Sequence, residues 1–167
     1  MLKKALVVID MQNDITKNYK GIIGNINRTI HWAVDNDIPV VYIRHENLSE
    51  GSRTFKPNTR GAELVSDLKI VSEHVFTKHR QNALDSAEFA DFIKKNEISE
   101  FYLAGADAVA CVKSTCYNLL KAKYRVFVLS DCITSYDTKK LNEMLLYYES
   151  KGSNILSSNT LQDSSPL

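Results

Sequence analysis

The sequence predicts an α/β fold built on a six-stranded, mainly parallel sheet. Two observations carry this. Short apolar runs rich in β-branched residues alternate with amphipathic segments along the 167 residues, the pattern of repeated βαβ units. Several of these runs are continuously apolar, as strands buried on both faces are. Right-handed crossovers then restrict the topology, and the length suits one domain over residues 1–167 with its own core.

Ala5–Ile9 reads as the first strand and runs directly into an acid, Asp10. Ile26, Ile30 and Val34 recur at helical spacing within residues 23–36. Ile38–Arg44 is the second strand, Gly61–Leu68 a short helix and His74–Lys78 the third strand. Asp85, with Glu88 three residues on, reads as the N-cap of a helix carrying Phe89, Phe92 and Ile93. Glu100–Gly105 is the fourth strand, followed by a helix near 110–122, and Arg125–Ser130 is the fifth. Asp137 caps a helix bearing Leu141, Met144, Leu145 and Tyr148, which Gly152 ends. Asn154–Ser158 is the last strand, and Gln162–Leu167 reads as a loose tail. The polar connection 45–60, with Gly51 and Pro57, is long for a structureless loop and is a candidate substrate-binding segment.

Composition narrows the function classes. Lys plus Arg number 21 against 20 for Asp plus Glu, a net charge of +1. With no basic stripe interleaved with aromatics, neither nucleic acid nor another polyanion is an expected partner. No window approaches a membrane span, and the apolar run ending at Asp10 is too short for a signal-peptide core. Three cysteines, an odd count, read as reduced thiols in the cytoplasm. No Cys-x-x-Cys or Cys/His cluster suggests a metal. Neither dinucleotide nor P-loop glycine spacing occurs, so no cofactor is expected.

The chemistry-bearing residues are Asp10, Lys78 and Cys111, each at or just after the end of a predicted strand. In an open α/β sheet those ends share one crevice. A thiol at a helix start is favoured as thiolate by the unpaired backbone N–H groups there. Asp10 would take the thiol proton and return it to a leaving group. Lys78 would hold Asp10 ionised and stabilise negative charge beside it. Each has a plainer reading: a buried helix cysteine, an acid capping a loop, a solvated lysine. Gln12 could hydrogen-bond the loop that holds Asp10 or contact substrate, His45 with Arg44 beside it is a candidate substrate contact, and Phe55 and Tyr136 are candidate pocket walls.

In this order the residues resemble the isochorismatase-like cysteine hydrolases. The resemblance runs through Asp10-Met11-Gln12 after the first strand, Gly61–Leu64, Lys78 followed by Asn82-Ala83-Leu84, Gly105 through Cys111-Val112, and Asp131 with Gly152–Ser158 near the end. It implies a three-layer α/β/α sandwich with a six-stranded parallel sheet. It also implies an Asp10/Lys78/Cys111 triad and an oxyanion hole from the backbone N–H groups of Asp107 and Cys111, with a cis peptide before Asp107. A homodimer or higher oligomer is implied as well. The implied reaction is hydrolysis of a C–N or related bond of a small molecule through a thioester. The family's Thr and acid before the cysteine are replaced by Ala108 and Val109, Asp107 is an unexpected carboxylate, and Leu84 and Ile15 stand where aromatics are usual. The Asp-x-His…His metal site of the nicotinamidase branch has no counterpart. The alternatives are a degenerate family member that binds a small molecule or a partner, and a thiol redox sensor.

Overall fold

Five consecutive buried residues, Ala5 to Ile9, make β1 (Lys3–Ile9) the centre of the sheet in the computed structural model, which describes residues 2–16 and 19–163. The side chains alternate between two cores: Leu6 and Val8 join one apolar cluster, Ala5, Val7 and Ile9 the other. This is why the strand reads as continuously apolar, since a strand buried on both faces has no polar side to show. The remaining strands are β2 (Val40–His45), β3 (Val75–Lys78), β4 (Ile98–Ala106), β5 (Arg125–Thr134) and β6 (Asn154–Leu156). Their order is β3-β2-β1-β4-β5-β6, and all five pairings are parallel. The chain winds outward from β1 in one direction and then from β4 in the other, so the topological switch lies between them, where open α/β sheets bind ligands.

Helices α2 (Ile23–Asp35) and α6 (Ser158–Asp163) cover one face, burying Ile23, Ile26, Ile30, Ala33 and Leu161. Helices α3 (Ala87–Lys95), α4 (Cys111–Lys121) and α5 (Leu141–Ser150) cover the other through Phe89, Ile93, Val112, Leu119 and Tyr148. A single-turn helix, α1 (Asn13–Thr16), follows β1. Together these make the three-layer α/β/α sandwich. No helix among the described residues is long and apolar enough to cross a membrane.

Several boundaries differ from those the sequence suggests. Residues 61–68 are not a helix beyond a 3-10 turn at Arg60–Ala62. Their backbone is used elsewhere: Asn13 N–H donates to Glu63 O, Val65 N–H to Met11 O, and Gln12 bridges Leu64 in antiparallel register. The cap of α3 is Ser86, whose hydroxyl accepts from Phe89 N–H. Asp85 instead closes a 3-10 turn that Asn82 caps. Asp137 caps another 3-10 turn, Thr138–Lys140, which leads into α5. At the end of α5, Ser153 N–H reaches Tyr148 O and Gly152 N–H reaches Glu149 O, with Gly152 at φ +103°, a Schellman closure. Gln162 and Asp163 belong to α6, which the sequence did not suggest, and the rest of the expected loose tail lies outside the described residues.

Gly105 fixes the switch point. It faces Ile9 across the β1–β4 ladder, at the place where the β4–β5 register shifts. Its φ is +118°, and a β-carbon there would overlap the Ile9 carbonyl oxygen and lie 2.7 Å from the Ile9 nitrogen. Gly105→Ala is therefore expected to destabilise the chain by more than about 1 kcal/mol, read as a lowered urea midpoint at unchanged m-value. An unchanged midpoint would mean the strands can separate at no cost.

Candidate active site

Three strand ends deliver the expected residues to one point. Asp10 follows β1 in a left-handed backbone conformation, φ +54°, that Asp tolerates better than most residues. Lys78 closes β3, and Cys111 opens α4 after the turn that leaves β4. Asp10 and Lys78 are each 1% exposed, and Cys111 is half-buried. The Lys78 ammonium lies 3.1 Å from Asp10 Oδ2, 3.4 Å from Cys111 Sγ and 2.8 Å from His45 Nδ1. Its three hydrogens thus match three acceptors. Asp10 Oδ1 is buried without a hydrogen-bond partner among the described residues.

The electrostatics are those of a desolvated cluster. Burial pushes the Asp10 carboxyl above the usual carboxylate range, against the pull of Lys78. Burial, then the Asp10 charge, pushes the Cys111 thiol up to about 12, with Lys78 opposing. Burial thus works against the thiolate that a helix start favours. Desolvation is the largest influence on both groups and disfavours charge on each. Burial and Lys78 also hold His45 below the ordinary imidazole range.

All three cysteines are raised from 9.0: Cys116 to about 11, Cys132, like Cys111, to about 12, each chiefly by burial. Below pH 9 the thiols are neutral whether folded or unfolded. Above it the unfolded chain sheds protons that the folded chain keeps until about 11–12, so this stability is lost as pH rises through that window. The melting temperature under reducing conditions is expected to fall steadily from pH 9 to 11, and Cys116→Ala to lessen the slope. A flat profile would contradict the burial of these thiols.

Ligand-type atoms of Asp10, His45 and Cys111 lie within 4.8 Å of one another, a grouping that suits a cation. The Lys78 ammonium already occupies that point, in contact with all three residues.

The loop before Cys111 is held from several sides. The Ala106–Asp107 peptide is cis. Ala108 N–H donates to Thr134 O at 2.9 Å, the Tyr148 hydroxyl donates to Ala108 O, and Ala110 and Val112 N–H donate to Asp107 O. The Asp107 carboxylate is fully engaged, accepting from Val109 N–H at 2.9 Å, the Tyr19 hydroxyl at 2.8 Å and Tyr136 N–H at 2.9 Å. Among the described residues, the backbone N–H groups of Asp107 and Cys111 donate to no acceptor.

The other candidates are placed differently. Gln12 is fully buried and faces backbone: its amide hydrogens go to His45 O and Ala62 O, and its oxygen accepts His45 N–H, each at 2.8 Å. It bolts the end of β1 to the end of β2 and has no amide hydrogen left for a substrate. His45 reaches the site, but its ring nitrogens are engaged by Lys78 and by Asn47 Oδ1. Arg44 donates to Ala62 O and lines a separate cleft of about 510 Å³ with Glu46, Asn58, Thr59, Glu63 and Leu64. Phe55 packs its ring 5.7 Å from that of His45, held by Asp14, which accepts Phe55 N–H. Tyr136 contributes its backbone while its side chain is exposed. A smaller cleft of about 270 Å³ includes Val109 and Ala110, immediately before Cys111.

The model of the isochorismatase domain matches residues 4–160. The chain belongs to the isochorismatase family. The uncharacterized isochorismatase family protein YddQ of Bacillus subtilis is 25% identical over 140 residues, 78% of each chain. The crystal structure of an isochorismatase-like hydrolase from Alkaliphilus metalliredigens superposes with a TM-score of 0.89 at 21% identity, covering 98% of both chains. N-carbamoylsarcosine amidase from Thermoplasma acidophilum gives 0.84 at 22% identity, over 95% of this chain and 98% of its own. Within this isochorismatase-family fold, sequence reasoning missed Tyr19 and Asn47. Asn47 carries a weak signal, two residues beyond His45 at a strand end. Tyr19 carries none, because its partner Asp107 is 88 positions away.

Proposed function

We propose that this isochorismatase-family chain is a cysteine-dependent hydrolase that cleaves the C–N bond of a small amide through a thioester, using Asp10, Lys78 and Cys111. The observation that carries the reading is the buried Lys78 ammonium touching both Asp10 and Cys111 at the switch between β1 and β4. An ammonium placed there serves whichever of the two groups is negative. The proton can pass from thiol to carboxylate without charge leaving the pocket, which offsets the high resting thiol pKa.

Cys111 Sγ attacks the carbonyl carbon while its proton moves to Asp10. The oxygen that becomes negative is received by the Asp107 and Cys111 N–H groups, where one preorganised donor is worth about 3–4 kcal/mol. The intermediate collapses, the C–N bond breaks, and Asp10 returns the proton to the departing nitrogen. Water then gives a proton to Asp10 and attacks the thioester, releasing the acid and restoring the thiol. The three free cysteines suit a reducing compartment such as the cytoplasm. A homodimer or higher homo-oligomer is part of the same reading.

The test is ammonia or amine release from a panel of small amides and ureido compounds, with wild-type chain and Cys111→Ser side by side. The reading requires at least one substrate whose turnover is lost in the variant. Full turnover by Cys111→Ser would refute it.

A further inference from the structure

The loop expected to serve the substrate is joined to the catalytic ammonium through one ring. Asn47 Nδ2 donates to Thr54 O at 2.9 Å, so Asn47 Oδ1 is the acceptor end that faces His45 Nε2 at 2.7 Å. His45 Nε2 must then carry the ring hydrogen, which leaves Nδ1 with a bare lone pair, and Lys78 Nζ stands 2.8 Å from it. Asn47 N–H also donates to Phe55 O, and the Phe55 ring lies against His45. Every donor in the run from Lys78 through His45 and Asn47 to Thr54 points the same way.

Building on the cysteine-hydrolase reading above, we infer that His45 is a positioning residue: its neutral Nε2–H tautomer takes one Lys78 hydrogen on Nδ1 and fixes the ammonium between Asp10 and Cys111. An ammonium with three hydrogens and only two acceptors could rotate or lean toward Asp10 alone. The third acceptor prevents this while adding no charge. The groups facing the ring are Lys78 from β3, Asp10 from the end of β1, Cys111 from α4 and the Arg80 backbone, with Arg44 before it on β2 and Glu46 just after the strand. Protonation of Nδ1 would set a hydrogen against the Lys78 ammonium and break the contact. Burial and Lys78 keep the ring neutral at ordinary pH.

The experiment is the iodoacetamide alkylation rate of Cys111 at pH 8, followed by peptide mass spectrometry, in wild type, His45→Leu, His45→Asn and Lys78→Met. Asn places an oxygen acceptor near the position of Nδ1, whereas Leu fills space without one. His45→Leu is expected to slow alkylation by about threefold to tenfold, His45→Asn to recover most of the rate, and Lys78→Met to be at least as slow as His45→Leu. A wild-type rate in His45→Leu with a slow Lys78→Met would overturn the role of His45 and leave the hydrolase reading standing. Equal slowing in both His45 variants would also overturn it, because then the acceptor is not what matters. A wild-type rate in Lys78→Met would overturn the triad itself. Should His45→Leu not fold, long-range ¹H–¹⁵N correlation spectra of the wild-type chain decide the matter. A neutral Nε2–H tautomer titrating below the ordinary imidazole range supports the role, and an Nδ1–H tautomer or a midpoint at or above that range overturns it.

Discussion

Cys111→Ala is expected to lower turnover of an amide substrate on the order of 10⁴-fold, about 5 kcal/mol of transition-state stabilisation. The loss is large because Cys111 supplies the thiol that forms the thioester, and the other two cysteines lie elsewhere. Cys116 and Cys132 are buried in the two cores, and both thiols are held neutral by that burial. The fold should survive, since Cys111 is half-exposed and its removal leaves Lys78 two acceptors. Circular dichroism and the urea midpoint check folding, and the amine-release assay checks turnover. Residual activity within tenfold of wild type would place the chemistry elsewhere.

The second large effect concerns Asp10. Asn has nearly the same shape and also tolerates the left-handed backbone at φ +54°, so Asp10→Asn removes charge and little else. Lys78 is then a fully buried cation without its carboxylate. Breaking a buried pair from one side costs about 3–5 kcal/mol, unless the lysine gives up its proton. Turnover should fall about 10²–10⁴-fold as well, because an amide cannot accept the thiol proton. Urea denaturation and the same assay read the two effects separately. A variant of undiminished stability and activity would show that the ion pair serves neither purpose.

Much of this site is legible in the sequence because of where the sheet puts its strand ends. Asp10 and Lys78 each terminate an apolar run, and Cys111 follows Gly105 by one short turn. A parallel sheet with its switch between β1 and β4 brings such ends together whatever the loops do. The strands were readable for the same reason: buried on both faces, β1 and β4 carry the continuous apolar runs Ala5–Ile9 and Phe101–Ala106. Residues 61–68 were misread because their hydrogen bonds run to residues 11–13, a non-local pairing that no local pattern reveals. A helix start at Cys111 is visible in the sequence, whereas the burial that raises its thiol is not. Gln12, expected either to hydrogen-bond the chain around Asp10 or to contact substrate, has its amide taken up by the backbone of His45 and Ala62. Asp107, an odd residue beside a developing negative charge, becomes intelligible only once Tyr19, Val109 and Tyr136 are seen to surround it.

The most direct test of a thioester route is to look for the thioester. The wild-type chain turning over an amide from the panel would be quenched in acid at intervals and its Cys111 peptide weighed, with a parallel reaction containing hydroxylamine. The expected result is a Cys111 peptide heavier by the acyl group, and the corresponding hydroxamate in the parallel reaction. Release of free acid with Cys111 unmodified at every time and no hydroxamate, or an acyl group carried on another residue, would contradict it.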